Sequence, residues 1–142
     1  MRLLVDTNVF IDCFISREST NISKSFITFC MKNDIELYTT SMSIRDIGYV
    51  VSRHYHNKKY GILSQSKTYS LLKKIIDINS DDVINSLYGD SSDFEDSLIM
   101  ESAERNMMDL IITNNIKHFR NSKIPACTPQ TLMDVYQHKE II

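Results

Sequence analysis

The chain has 142 residues, 42% of them hydrophobic, with 16 Lys+Arg against 18 Asp+Glu and a formal net charge of −2. That length fits one domain, residues 1–142, with a sizeable core. The near-balanced charge excludes a surface that coats polyanions as a whole, so any nucleic-acid contact has to be local.

Cys13, Cys30 and Cys127 are odd in number, widely spaced and without a Cys-x-x-Cys pair. They read as reduced thiols in the cytoplasm, not as a zinc site. The amino end is charged again too early for a signal peptide, and no segment approaches the ~18 apolar residues of a membrane span, so a soluble protein is expected. The histidines add no zinc signal: His54 and His56 lie in a polar stretch, and His118 and His138 are isolated.

Three glycines and two prolines argue against a turn-rich β-sandwich. Short β-prone runs at 3–5, 35–40, 74–79, 110–113 and 126–128 alternate with longer helix-like stretches, which makes the class α/β. After the first run, Val9, Phe10, Phe14 and Ile15 group near helical spacing, and Phe26, Ile27, Phe29 and Cys30 continue such a group between 19 and 32. Ile44, Ile47, Gly48 and Val51 follow i, i+3, i+4, i+7 and predict a helix over 43–55, with Asp46 in its first turn. Residues 57–61 read as a polar loop before a helix carrying Leu63, Tyr69, Leu71 and Leu72. The polar stretch Gly89-Asp90-Ser91-Ser92 precedes a helix starting near Asp93, with Leu98, Ile99, Ser102, Ala103 and Met107 on its inner face. Met107, Met108 and Tyr136 fit either the core or an interface.

The chemistry concentrates at the ends of these runs. Asp6 follows Leu3-Leu4-Val5, the carboxyl end of a buried strand, where open α/β sheets build their sites. Burying an ionised carboxylate costs several kcal/mol or more unless it is paired, hydrogen-bonded or metal-bound. In a right-handed parallel sheet, the strand ending at Thr113-Asn114-Asn115 emerges at the same edge as Asp6. Helices starting near Asp93 and Ser43 bring Asp93, Asp96 and Asp46 to that rim. Crowded carboxylates repel, and a hard cation such as Mg²⁺ or Mn²⁺ holds them ionised together.

The plainer reading is helix capping. Asp46 lies three residues after Ser43 and Glu95 three after Ser92, both matching a capping box, and first-turn aspartates suit the helix dipole without any metal. Asp6 itself has capping of the next helix as its alternative. Thr7, Asn8, Thr113, Asn114 and, foremost, Asn115 read as turn residues or as groups that orient Asp6 and hold water. Lys117 and Arg120 read as solvated surface or as phosphate contacts.

Taken together, these residues resemble the PIN-domain family, metal-dependent nucleases that include the toxin halves of VapBC-type toxin–antitoxin pairs. The resemblance spans nearly the whole chain: Leu3-Leu4-Val5-Asp6-Thr7-Asn8, then Asp93-Phe94-Glu95-Asp96-Ser97-Leu98, then the run from Ile111 to Phe119, closing with Ile124-Pro125 and Thr128-Pro129. It implies a doubly wound, mainly parallel sheet of about five strands flanked by helices in three layers, and Mg²⁺- or Mn²⁺-dependent RNA cleavage. By position it implies that Asp6, Asp46 and Asp96 are catalytic acids and metal ligands, with Asp93 an additional acid. Asn115 falls at the fourth position, commonly aspartate. It also implies a small antitoxin as partner, and a homodimer. Two departures bear on activity: Asp46 is one methylene shorter than the usual glutamate, and Asn115 brings no charge, which weakens any second cation site.

Two rival readings differ in kind. A haloacid-dehalogenase-like phosphatase also begins with an aspartate after its first strand, but wants a second aspartate two residues on, where this chain has Asn8. A degenerate site that binds RNA or a protein without cutting is the other.

Overall fold

The computed structural model describes residues 1–90 and 93–140. Five parallel strands, β1 (Arg2–Val5), β2 (Glu36–Thr40), β3 (Lys74–Ile76), β4 (Leu110–Ile112) and β5 (Ala126–Cys127), form one sheet in the order β3-β2-β1-β4-β5. Among the described residues the helices are α1 (Thr7–Phe14), α2 (Thr20–Lys32), α3 (Ser41–Tyr55), α4 (Lys58–Leu71), α5 (Ser80–Tyr88), α6 (Phe94–Arg105) and α7 (Pro129–Glu140), with a 3-10 turn at Ile116–Phe119. The doubly wound α/β class expected above is what the chain adopts.

The central strand explains the layering. Leu3, Leu4 and Val5 are all buried, the continuous apolar run of a parallel strand covered on both faces. Leu3 and Val5 join one core with Phe10, Phe26, Ile47 and Leu132 from α1, α2, α3 and α7. Leu4, pointing the opposite way, joins a second core with Ile99 and Ala103 of α6, Met108 and Phe119. The chain winds outward from β1 through β2 to β3, then returns to place β4 on the free side of β1. The strand order therefore reverses between β1 and β4, and a crevice opens above their carboxyl ends.

Several boundaries differ from the sequence expectations. Helix α3 begins at Ser41, not 43, because the Thr40 side chain accepts the Ser43 N–H as N-cap. Asp46 therefore lies beyond the first turn, and the Ser43–Asp46 capping box does not form. The interruption expected at 57–61 shrinks to His56, in the left-handed conformation at φ 51, and Asn57, whose side chain caps α4 through Lys59 N–H. The third strand stops at Ile76, since Asn79 leaves the sheet to form a reciprocal capping box with Asp82 at the start of α5, a helix the sequence reading had not separated. Helix α6 is capped by Asp93, which accepts the Asp96 N–H at 3.0 Å, while Ser91 and Ser92 lie outside the described residues. Met107 is not on the inner face: α6 ends at Arg105, and Met107 turns outward at φ 50 with 77% exposure while Met108 takes the buried place. Tyr136 is half-buried, edge-on to Phe29 at 5.2 Å between ring centroids.

The three cysteines are unpaired thiols, and no helix among the described residues is long and apolar enough to cross a membrane.

Candidate active site at the carboxyl edge of the sheet

Asp6 is the first residue past β1. Its N–H continues the ladder to β4 by donating to Ile112 O at 2.8 Å, and its Oδ2 accepts from Thr113 Oγ1 at 2.8 Å. Thr113 Oγ1 in turn accepts the Asn115 N–H at 3.0 Å, so the two strand ends are stitched together by one threonine. The Asp6 side chain makes no capping bond to α1. At 5% exposure its carboxyl is pushed up to about 6, first by burial and then by the charge of Asp96, with the Thr113 hydroxyl and the Thr7 backbone pulling the other way.

Two helices deliver the other acids. Helix α3 follows β2 directly, and a chain of hydroxyls locks its start against Asp6's neighbour: Thr7 Oγ1 donates to Ser43 Oγ at 2.8 Å, and Thr40 Oγ1 donates to Ser43 Oγ at 3.0 Å. One turn further, Asp46 reaches the crevice, where Arg45 holds its Oδ1 at 3.0 Å. Helix α6 brings Asp96 and Glu95 from the opposite wall. Asp6, Asp46, Glu95 and Asp96 thus line one cleft of about 330 Å³, together with Thr7 and Asn8. Burial, and after it the neighbouring carboxylates, raise Glu95 and Asp96 as well, and His118 opposes the shift at Asp96.

Asp96 also faces an adjoining hollow of about 270 Å³, shared with Asp93, Lys117, His118 and Arg120. There His118 Nδ1 lies 3.0 Å from Asp96 Oδ2. The structure thus brings Asp6, Asp46 and Asp96 together, and sets Asp93, Lys117 and Arg120 one wall away. Asn115 lines neither space. It is exposed at the start of the 3-10 turn and contributes its backbone N–H to Thr113. Asn114 turns from the cleft to donate to Asp12 Oδ2 at 3.0 Å.

Four residues of this region escaped the sequence reading. Asp12 is buried within α1 and gathers Ser19, Ser23, Asn114 and, at 3.5 Å, Arg17. An acid in the middle of an apolar helical group was the available signal. His118 follows Asn115 by three residues, on the next turn. Glu95 was read only as a cap. Tyr49 lies three residues after Asp46, on the same side of α3.

The donor set suits a hard divalent cation. Oxygen donors line the cleft, and mutual repulsion among its carboxylates is what such an ion relieves. Among the described residues no three acidic, histidine or cysteine side chains stand close enough to ligate one ion directly. Mg²⁺ keeps several waters and is commonly held by one or two carboxylates, so three ligating side chains on one ion are not a requirement.

A sequence profile of the PIN domain family matches residues 2–117. A comparison with curated protein sequences found no match. Among solved structures, the chain is similar to VapBC2 of Rickettsia felis bound to a DNA fragment from its promoter, at TM-score 0.66 and 18% identity, covering 90% of this chain and 98% of that one. A toxin–antitoxin complex from Klebsiella pneumoniae matches at TM-score 0.62 and 22% identity over 89% and 97% of the two chains. VapC20 of Mycobacterium tuberculosis, a toxin that cleaves the sarcin–ricin loop, matches at TM-score 0.62 and 8% identity over 77% and 86%.

Proposed function

The chain belongs to the PIN-domain family, and from that premise we propose that it is a Mg²⁺- or Mn²⁺-dependent endoribonuclease, the toxin member of a toxin–antitoxin pair. The observation that supports this reading best is the convergence of Asp6, Asp46 and Asp96, from three different elements, on one oxygen-lined cleft at the reversal of strand order. The similarity to toxin–antitoxin structures supports a small antitoxin as partner.

In this reading Asp6 and Asp96 would hold the ion, with Asp46 of α3 facing the same cleft. Such an ion would supply positive charge to a phosphoryl oxygen and make water more acidic. Thr113 keeps Asp6 in place, and the rigid strand end beneath it leaves little reorganisation to be made at the moment of reaction. His118 steadies Asp96 from the far side. Lys117 and Arg120, on the adjoining hollow, serve the RNA backbone.

The test is cleavage of a pool of labelled RNAs by the purified protein with Mg²⁺, Mn²⁺ or chelator, with Asp6→Asn in parallel. Metal-dependent cutting that disappears in the folded variant is the expected result. Cutting that survives both chelator and Asp6→Asn removes this cleft from the chemistry.

A second reading, a binding module that no longer cuts, draws on the neutral Asn115 and on the Arg45–Asp46 pair, which occupies one of the three acids. It expects RNA bound equally well in chelator and in Mg²⁺, with no cleavage.

A further inference from the structure

Arg45, Tyr49 and Arg53 lie four residues apart on α3 and so form a single ridge along the helix. Arg45 and Tyr49 line the acidic cleft. The Tyr49 ring is 52% exposed, so it contributes little to the core. Its position is nevertheless fixed: Arg53 NH1 donates to the phenol oxygen at 2.8 Å, and the same guanidinium lies 5.6 Å from the ring centroid. A half-exposed ring with the Arg53 guanidinium over it thus stands beside a cleft of carboxylates, and Arg45, which also holds Asp46 Oδ1 at 3.0 Å, is the second cation along the helix, in a protein whose overall charge is negative.

That order of groups matches what an unpaired nucleotide requires. Single-stranded nucleic acid is held by cations that follow the backbone and by aromatic rings on which bases stack. We propose that Tyr49 is the stacking platform for one unpaired base of the RNA next to the scissile phosphate, with Arg45 and Arg53 taking the phosphates on either side. The proposal rests on the ribonuclease reading and adds to it the residue that positions the base beside the cut. Stacking accepts every base, so the ridge selects strandedness and not sequence.

The experiment uses single-stranded oligoribonucleotides with 2-aminopurine walked through a mapped cleavage site, and the proteins wild type, Tyr49→Ala and Tyr49→Phe. Folding is checked by circular dichroism, and binding is read in the Asp6→Asn background so that the probe stays intact. Stacking is worth about 1–3 kcal/mol per base, so Tyr49→Ala is expected to raise KM by roughly 5- to 150-fold with kcat little changed. Tyr49→Phe, which keeps the ring, restores most of the affinity. Quenching of 2-aminopurine is expected at one position beside the cut and is lost in Tyr49→Ala. Wild-type protein that cuts RNA while Tyr49→Ala retains KM and quenching overturns the platform and leaves the nuclease standing. A ridge that serves a protein partner gives that same pattern. A loss as large in Tyr49→Phe as in Tyr49→Ala overturns stacking in favour of the hydroxyl. Wild-type protein that neither cuts nor quenches any probe overturns the nuclease reading and the platform together.

Discussion

Asp6 is held where an ionised carboxylate is least comfortable, and this has a measurable sign. Its carboxyl titrates at about 6 in the folded protein against 3.8 in the ordinary case. Below the lower value both folded and unfolded chains carry the proton, and Asp6 has no effect on stability. As pH rises from 3.8 through 6, the unfolded chain loses its proton first, so the native state loses stability, by on the order of 3 kcal/mol at most when the window is crossed. Asp6→Asn keeps the shape and an acceptor for Thr113 but carries no charge. Urea denaturation of the metal-free proteins should therefore find the variant more stable at pH 7, with the advantage shrinking towards pH 4. Parallel stability–pH curves for the two proteins would show that Asp6 carries no such charge cost. His118 bears on the same cleft from outside. Removing the group that fixes one oxygen of a ligating carboxylate commonly costs 10- to 100-fold in metal affinity or activity. His118→Ala is expected to raise the Mg²⁺ concentration needed for half-maximal cleavage by about tenfold or more, read from a metal titration of the cleavage rate; an unchanged midpoint would make the His118–Asp96 contact incidental.

At the scale of elements, the α3–α4 pair is set by close approach. A Cβ on Gly61 would stand 2.5 Å from Gly48 O and 2.8 Å from Ser52 Cβ, whereas the three atoms nearest one on Gly48, at 2.2, 2.4 and 3.0 Å, all belong to the Gln65 side chain. Alanine gains about 1 kcal/mol of helix propensity over glycine at either site, and overpacking against fixed atoms costs about 1–3 kcal/mol. Thermal denaturation should thus show Gly61→Ala clearly destabilised and Gly48→Ala near neutral, since Gln65 has only its bond to Ile44 O to give up. Equal effects would mean that the two helices slide apart freely. This packing also explains what could be read from the chain. The inward face of α4 carries Gly61, Ser64 and Thr68, while Ile62, Leu63 and Tyr69 face outward, so hydrophobic periodicity pointed to the wrong face and placed the helix start late. By contrast β1, with its unbroken Leu3-Leu4-Val5, and α3, with Ile47 and Val51 buried, were legible because burial and pattern agree. Helix α5 was not, because its start depends on the Asn79–Asp82 exchange of bonds and its hold on α6 on the Asp82–Arg105 ion pair, neither of which has a hydrophobic signature. The convergence of Asp6, Asp46 and Asp96 followed from topology alone. The place of Asp12 did not, since its donors are spread from Arg17 to Asn114. Asp12→Ala strips the acceptor from those groups, and breaking a buried ion pair on one side commonly costs 3–5 kcal/mol. With Arg17 partly exposed, a loss nearer 2 kcal/mol is expected by urea denaturation.

For the whole molecule, the metal-dependent reading predicts that the carboxylates that weaken the metal-free fold become the reason an ion strengthens it. A ligand that binds only the native state stabilises it by about 2.7 kcal/mol at one hundred times its Kd. In a domain of this size each kcal/mol moves Tm by roughly 2–4 °C or somewhat more, so saturating Mg²⁺ or Mn²⁺ should raise Tm by about 5–10 °C. The order of the two proteins is expected to change with the ion. Without metal at pH 7, Asp6→Asn melts above the wild type because one buried charge is gone. With metal, the wild type is expected to gain and the variant to gain much less, because Asp6, a proposed ligand of the ion, is missing. Salt cannot imitate this, since screening acts weakly on a group as buried as Asp6 and would help both proteins alike. Melting curves of the two proteins in chelator, in Mg²⁺ and in KCl of matched ionic strength measure the effect directly. A wild type that gains no more from Mg²⁺ than from KCl would mean that the cleft holds its acids for some purpose other than binding an ion.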